Sequence, residues 1–234
     1  MKTIATILCI CCLPVAGQDL QKVLFENSIV RVIELSNNNE PIYPDSYPSL
    51  LITVESIKPA KWTFTWETSD STRTLPSKLA TLRVELKKSP SPQDIPSWPE
   101  SLDAVHAAPN SHRVLFENAR VRVLEVRVPP GTKEPFHVHP WPSIFIYLDS
   151  GGPMGAQRYY NKDGKITHDH PRTERPPINP PEWRIHWMQP EPLHAIENME
   201  TVESSRTLPY RLPTLRVEFK PVPGAGQRGS AGHN

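Results

Sequence analysis

Cysteine is nearly absent: Cys9, Cys11 and Cys12 are the only thiols, and all precede Leu13. Downstream of them, disulfides and thiolate metal ligands are both excluded. Long apolar runs are scarce as well. The run from Ile4 to Val15 follows Lys2 and gives way to Ala16-Gly17. It is too short to span a bilayer and has the form of a signal peptide over residues 1–17, cut after small residues. A secreted or periplasmic protein is therefore expected, with no cysteine left in it and no membrane association once the signal is removed. Neither sign of charge is in excess. The 26 lysines and arginines stand against 25 aspartates and glutamates, and removal of Lys2 makes them equal. With no basic stripe, nucleic acid and anionic membrane surfaces are not expected partners. Helical periodicity, a catalytic-serine elbow, a P-loop and a dinucleotide fingerprint are all lacking.

Proline is plentiful, at 28 residues. A helical protein would be broken by so many, whereas a β protein places them in turns, edges and bulges. The chain also contains itself twice. Val23-Leu24-Phe25-Glu26-Asn27 recurs as Val114-Leu115-Phe116-Glu117-Asn118, and Val30-Arg31-Val32 as Val121-Arg122-Val123. Farther on, Arg73-Thr74-Leu75-Pro76 matches Arg206-Thr207-Leu208-Pro209, and Thr81-Leu82-Arg83-Val84-Glu85 matches Thr214-Leu215-Arg216-Val217-Glu218. The expected organisation is a first repeat within 18–88, a Pro/Ser-rich linker over 89–110, a second repeat over 111–220 and a flexible tail over 221–234. Each repeat reads as strands. Asn161-Lys162-Asp163-Gly164 marks a hairpin turn. Ile144, Phe145, Ile146 and Tyr147 are apolar on both pleat faces, so the strand carrying them should be covered on both sides, by a second barrel or by a homodimer partner. The proline-dense stretch from Pro171 to Pro181 reads as a semi-rigid loop near a barrel mouth.

All nine histidines lie from His106 onward, and the first repeat has none. His137-Val138-His139 places two imidazoles on one face of a strand. His194 opens a later strand that could bring a third ring opposite them. The alternative is a pair of hydrogen-bonded barrel histidines with no ion. His168-Asp169-His170 reads as a solvated loop, and His106, His112 and His233 as linker or tail residues of no weight.

These residues resemble the cupin superfamily. Its first motif, G(x)5HxH(x)3–4E, fits Gly131, His137 and His139, with Ser143 or Ile144 in place of the glutamate. Its second motif ends H(x)3N, which fits His194 and Asn198. The resemblance implies an all-β fold of two cupin-like barrels (double-stranded β-helix, or jelly roll), the first degenerate. It also implies one divalent metal ion, of Fe, Mn, Ni, Zn or Cu, held by His137, His139 and His194. Ser143, Asn198, Trp141, Tyr147 and His186 are pocket or supporting candidates. Arg158, Arg172, Arg175 and Arg184 could meet a carboxylate. The expected function is a secreted bicupin, a dioxygenase or an isomerase or lyase, acting on a small anionic molecule. The alternative is a non-catalytic ligand-binding or structural protein. Aligning Glu40-Pro41 with Glu134-Pro135 puts Tyr43 and Asp45 at the HxH positions of the first repeat, and aligning the Arg-Thr-Leu-Pro blocks puts Lys61 under His194. The first half should therefore be metal-free.

Overall fold

A computed structural model describes residues 21–35, 41–42, 47–56, 61–68, 73–74, 80–205 and 214–222, with 41–42 and 73–74 as backbone alone. The signal segment, most of the tail, Tyr43 and Asp45 lie outside the described residues. In the first unit the strands are β1 (Gln21–Glu26), β2 (Val30–Leu35), β3 (Pro41–Ile42), β4 (Ser49–Ser56), β5 (Lys61–Glu67), β6 (Arg73–Thr74) and β7 (Ala80–Leu86). In the second they are β8 (His112–Glu117), β9 (Val121–Val126), β10 (His137–His139), β11 (Ser143–Gly151), β12 (Gln157–Asn161), β13 (Ile166–His170), β14 (Pro177–Met188), β15 (Glu191–Asn198) and β16 (Thr214–Phe219). Two one-turn helices, α1 (Ala104–Ala107) and α2 (Val202–Ser205), complete the regular structure with two short 3-10 turns.

The duplication reaches the level of register. One five-stranded sheet runs β1-β2-β7-β4-β5, and its counterpart runs β8-β9-β16-β11-β14. Arg31 pairs with Glu85 as Arg122 does with Glu218, and Ser49 faces Glu85 as Ser143 faces Glu218. The repeated Glu-Asn pairs have one job. Asn27 Oδ1 accepts from the Ile29 and Val30 amides, and Asn118 Oδ1 from those of Arg120 and Val121. Each closes the turn between the first two strands of its sheet, an Asx arrangement that spares two backbone donors from desolvation. Register also corrects one alignment. Val54 faces Trp62 as Leu148 faces Trp183 across the equivalent strand pair, so Lys61 corresponds to Glu182 within β14 and not to His194.

The second unit adds a four-stranded sheet, β10-β15-β12-β13. From β9 onward the chain passes between the two sheets, with β10, the β12–β13 hairpin and β15 in one, and β11, β14 and β16 in the other. This is the winding of a double-stranded β-helix. The hairpin turns at Asn161–Gly164 as expected, with Gly164 at φ 73°. In the first unit the second sheet is reduced, among the described residues, to the pair β3–β6.

The two five-stranded sheets pack face to face. Val30, Val32, Leu50, Ile52, Leu82 and Val84 of one meet Val121, Val123, Ile144, Ile146, Leu215 and Val217 of the other in a single buried cluster. Phe25 stacks on Trp187 at 6.5 Å, and Phe64 meets Phe116 at 6.2 Å. Each of these aliphatic side chains contributes roughly 1.5–3 kcal/mol of burial. Period-two alternation then turns the residues between them, including Arg122, Arg216, Glu218, Ser143 and Phe145, into the second barrel. The double cover expected for β11 is thus met within one chain.

One expectation about the insertion changes. Pro177, Pro180 and Pro181 belong to a twelve-residue strand, β14, rather than a loop. It forms the sheet's edge, where a missing N–H costs no ladder bond. The β11–β14 crossing depends on Gly151, at φ 68°. A Cβ there would sit 2.2 Å from the Pro176 carbonyl oxygen and 2.7 Å from the Ile178 nitrogen. Gly151→Ala should therefore lower stability by at least roughly 2 kcal/mol. A denaturant midpoint equal to wild type would show that the crossing adapts.

Candidate metal centre

The 131–139 segment is fastened before it becomes a strand. Gly131, at φ 69°, gives its N–H to the Asn198 carbonyl, and the Glu134 N–H goes to the Ile196 carbonyl. β10 then pairs with β15, setting His137 directly opposite His194 and, after a register shift, His139 opposite Glu191. The three predicted rings meet, with centroids 5.2 Å apart for His137–His139, 4.4 Å for His137–His194 and 5.6 Å for His139–His194.

A fourth ring joins them. His112, read above as a linker residue of no weight, is the first residue of β8. It is buried, with its centroid 4.7 Å from that of His137 and 5.0 Å from that of His139. The Ser89–Asn110 stretch carries it there. Asp103 bridges to Val138, caps α1 through the Val105 N–H, and takes both terminal nitrogens of Arg122, at 2.9 and 3.0 Å. No motif spacing points to His112. The available signal was its strand position, because its counterpart in the first unit is the exposed Gln21.

All four rings have their Nδ1 edge committed. Nδ1–H of His137 donates to the Pro135 carbonyl (3.0 Å), that of His194 to the Pro192 carbonyl (2.8 Å), that of His112 to the Ala108 carbonyl (3.3 Å), and that of His139 to Glu218 Oε1 (2.8 Å). This fixes the tautomer that leaves Nε2 with its lone pair, as in metal-ligating histidines. His137 Nε2 is buried and has no hydrogen-bond partner. A buried acceptor without a partner is costly in an apo barrel and is what a cation would satisfy. Burial, with the neighbouring rings second, holds His112 down at about 3; burial followed by His194 holds His137 at about 4. Burial also lowers His139 and His194. The cluster is therefore neutral at pH 7, the form that ligates.

Behind the rings lies a buried charge frame. Glu218, with no exposed surface, takes Arg122 Nε at 2.6 Å and lies 3.5 Å from Arg216 Nε. Arg216 also pairs with Glu191, yet its Nη2 has no hydrogen-bond partner. Burial lifts Glu134 to about 7, and its Oε1 lies 3.8 Å from His112 Nδ1. The ligand-capable atoms form two sets, His112–His137–His139 and His139–Glu191–His194, within which all lie inside 4.8 Å; His137 and His194 fall in different sets, so the predicted trio is split between the two. The donors present fit a divalent ion. Imidazole suits Zn, Cu, Fe and Ni, and a carboxylate is at hand for Mn.

The supporting candidates scatter. Ser143 is fully buried beside Glu218, and its Oγ has no partner. Tyr147 and His186 bond to each other (Oη to Nε2, 3.0 Å) on the same sheet face, farther along the strands. Trp141 lies over Arg122, 4.5 Å from ring centroid to Cζ. Asn198 gives its amide to the Val128 carbonyl and accepts from the Glu200 N–H, so it fastens the Gly131 turn. His168 and His170 are on a strand rather than a loop, both exposed. The four arginines considered for a ligand carboxylate are spent within the chain, on Asp169, Glu200, Asp149 and Glu182. Arg216 went unremarked in the sequence because it sits in a repeated strand block.

No protein-family model matches the sequence, and no curated protein does. Among solved structures, a cupin domain from Bordetella pertussis matches over 47% of this chain and 91% of its own, at 16% identity and a TM-score of 0.30. An oxalate decarboxylase matches over 86% of this chain and 72% of its own, at 11% identity and a TM-score of 0.31. A structure concerned with the Mn(II) centres of the Bacillus subtilis oxalate decarboxylase matches over 83% and 70%, at 12% identity and a TM-score of 0.32. Likenesses so distant say nothing of activity. By its own strand order and doubled register the chain is a duplicated all-β protein whose second unit winds as a double-stranded β-helix, and the HxH…H(x)3N spacing of that unit resembles the cupin motifs.

Proposed function

We propose that the second barrel binds one divalent metal ion within the ring cluster formed by the predicted His137, His139 and His194 together with His112, and that the protein, exported by its N-terminal segment, uses that ion on a small anionic molecule. The observation that carries this reading is a set of four clustered imidazoles, three buried and His194 half-buried, each with Nδ1 bonded so that Nε2 keeps its lone pair. When bound, the ion would supply Lewis-acid or dioxygen chemistry. Neutral rings leave much of its 2+ charge uncompensated, and Arg216 Nη2 offers a second cation without a hydrogen-bond partner. Both favour a carboxylate-like ligand.

Elemental analysis of the purified protein should find about one ion per chain, and His137→Ala should lower Zn(II) affinity at least about tenfold. A metal-free wild type that takes up no ion on titration would overturn the reading. Ser143 at the motif's carboxylate position favours a second reading, ligand capture without turnover. Oxygen uptake and product screening with small carboxylates separate the two. For export, the secreted form should begin near Gln18.

A further inference from the structure

This inference rests on the metal-binding reading and concerns where the ion sits. The two ligand sets share His139 and differ in chemistry. His112, His137 and His139 form an all-imidazole set, every member buried. His139, His194 and Glu191 offer two imidazoles and a carboxylate, and the latter two residues are half-buried. Nδ1 of His139 is committed to Glu218, so one lone pair of that ring is left for an ion. Two ions cannot share it. The sets are therefore alternatives, and occupation of one empties the other.

We propose that the barrel offers a single ion two overlapping seats: an inner one of His112, His137 and His139 for Zn(II), Cu(II) and Ni(II), and an outer one of His139, His194 and Glu191 for Mn(II). Borderline ions prefer nitrogen and give up water readily, which suits a buried seat. Harder ions prefer carboxylate oxygen and keep water ligands, which a half-buried seat accommodates. Glu191 Oε2 is held by Arg216 Nη1, which orients the carboxylate and leaves Oε1 for an ion. A carboxylate from β15, opposite His139, thus supplies what the serine on β11 cannot. In the inner seat, negative charge is provided at one remove, by Glu218 behind His139. His112 is peculiar to the second unit, as Gln21 stands at its place in the first.

Calorimetric titration of the full-length metal-free protein with zinc chloride and with manganese chloride tests this. His112→Gln should weaken Zn(II) at least about tenfold and Mn(II) less than about threefold. Glu191→Gln should do the reverse and should change the electron paramagnetic resonance spectrum of bound Mn(II). Should His112→Gln fold poorly by circular dichroism, Glu191→Gln at its half-buried position still carries the test. Wild type that binds neither ion would remove the metal-binding reading itself. Wild type that binds both, with each variant affecting the two ions equally or not at all, would show one common shell and overturn the two seats alone.

Discussion

Glu218→Ala should lower the free energy of unfolding by about 3–5 kcal/mol, the largest effect expected of any single substitution in the barrel. Glu218 has no exposed surface and faces three partners: Arg122 Nε at 2.6 Å, His139 Nδ1 at 2.8 Å and, more loosely, Arg216 Nε. Two guanidiniums in a barrel interior are tolerated because a carboxylate lies between them. Its removal leaves Arg216, whose Nε and Nη2 make no hydrogen bond, with Glu191 as its remaining carboxylate. The desolvation cost of a buried charge then stands without compensation. Arg122 retains Asp103, so the damage should centre on Arg216 and the ring cluster. His139 loses the acceptor that fixes its tautomer, and metal affinity should fall about 10- to 100-fold. Glu218→Gln keeps the shape and one acceptor, and should fall between wild type and Glu218→Ala in both measurements. Denaturant unfolding of the metal-free variant reads the first effect. A loss under about 1 kcal/mol would mean the guanidiniums are solvated and the frame is not closed.

Acid should unfold the metal-free protein steeply. In the folded state burial lowers all four ring pKa values, His137 to about 4 and His112 to about 3, from an ordinary 6.5. The unfolded chain therefore binds more protons once pH drops below 6.5. Stability from these groups is complete above that point and lost as pH falls toward 3, with His137 alone worth roughly 3 kcal/mol. Glu134 works the other way. Its folded value, about 7 against 4.5, means the native state gains a proton first, which offsets part of the loss between pH 7 and 4.5. Below 4.5 that offset stops growing while the rings continue to titrate. The sharpest decline should fall between pH 4.5 and 3. Unfolding midpoints across this range, with chelator present, check it. Saturating metal should move the decline to lower pH, because the ion competes with the same protons. A midpoint independent of pH down to 3, or a decline unchanged when His112 is replaced by Gln, would count against buried neutral rings.

Much of the architecture was legible because duplication writes the same instruction twice. The Glu-Asn turns, the Arg31–Glu85 and Arg122–Glu218 pairs and the two-sided apolar run of β11 all appear as repeated or alternating letters. The juxtaposition of His137, His139 and His194 followed from strand geometry with the family's spacing. What stayed hidden was tertiary. His112 reaches the rings because the preceding segment folds onto β9 and β10 through Asp103, a contact with no local pattern. Glu191 lies opposite His139 because of a register shift between His137 and His139, which spacing cannot reveal. The prolines of β14 concealed a strand because an edge position lifts the usual prohibition. Lys61 was misplaced because the longer second repeat leaves insertion sites ambiguous until hydrogen-bond partners are known.

The silent half bears on the chemistry of the other without touching a ligand. In the five-stranded wall of the histidine-bearing barrel, inward residues alternate with outward ones, and the outward Val123, Ile144, Ile146, Leu215 and Val217 are buried against the first unit. Severed at the connecting segment, the histidine-bearing piece would meet water along the whole rear of the wall that holds Glu218 and Arg216 in place. The ring cluster is thus a property of both units, and the smallest piece expected to keep it includes the half without histidines.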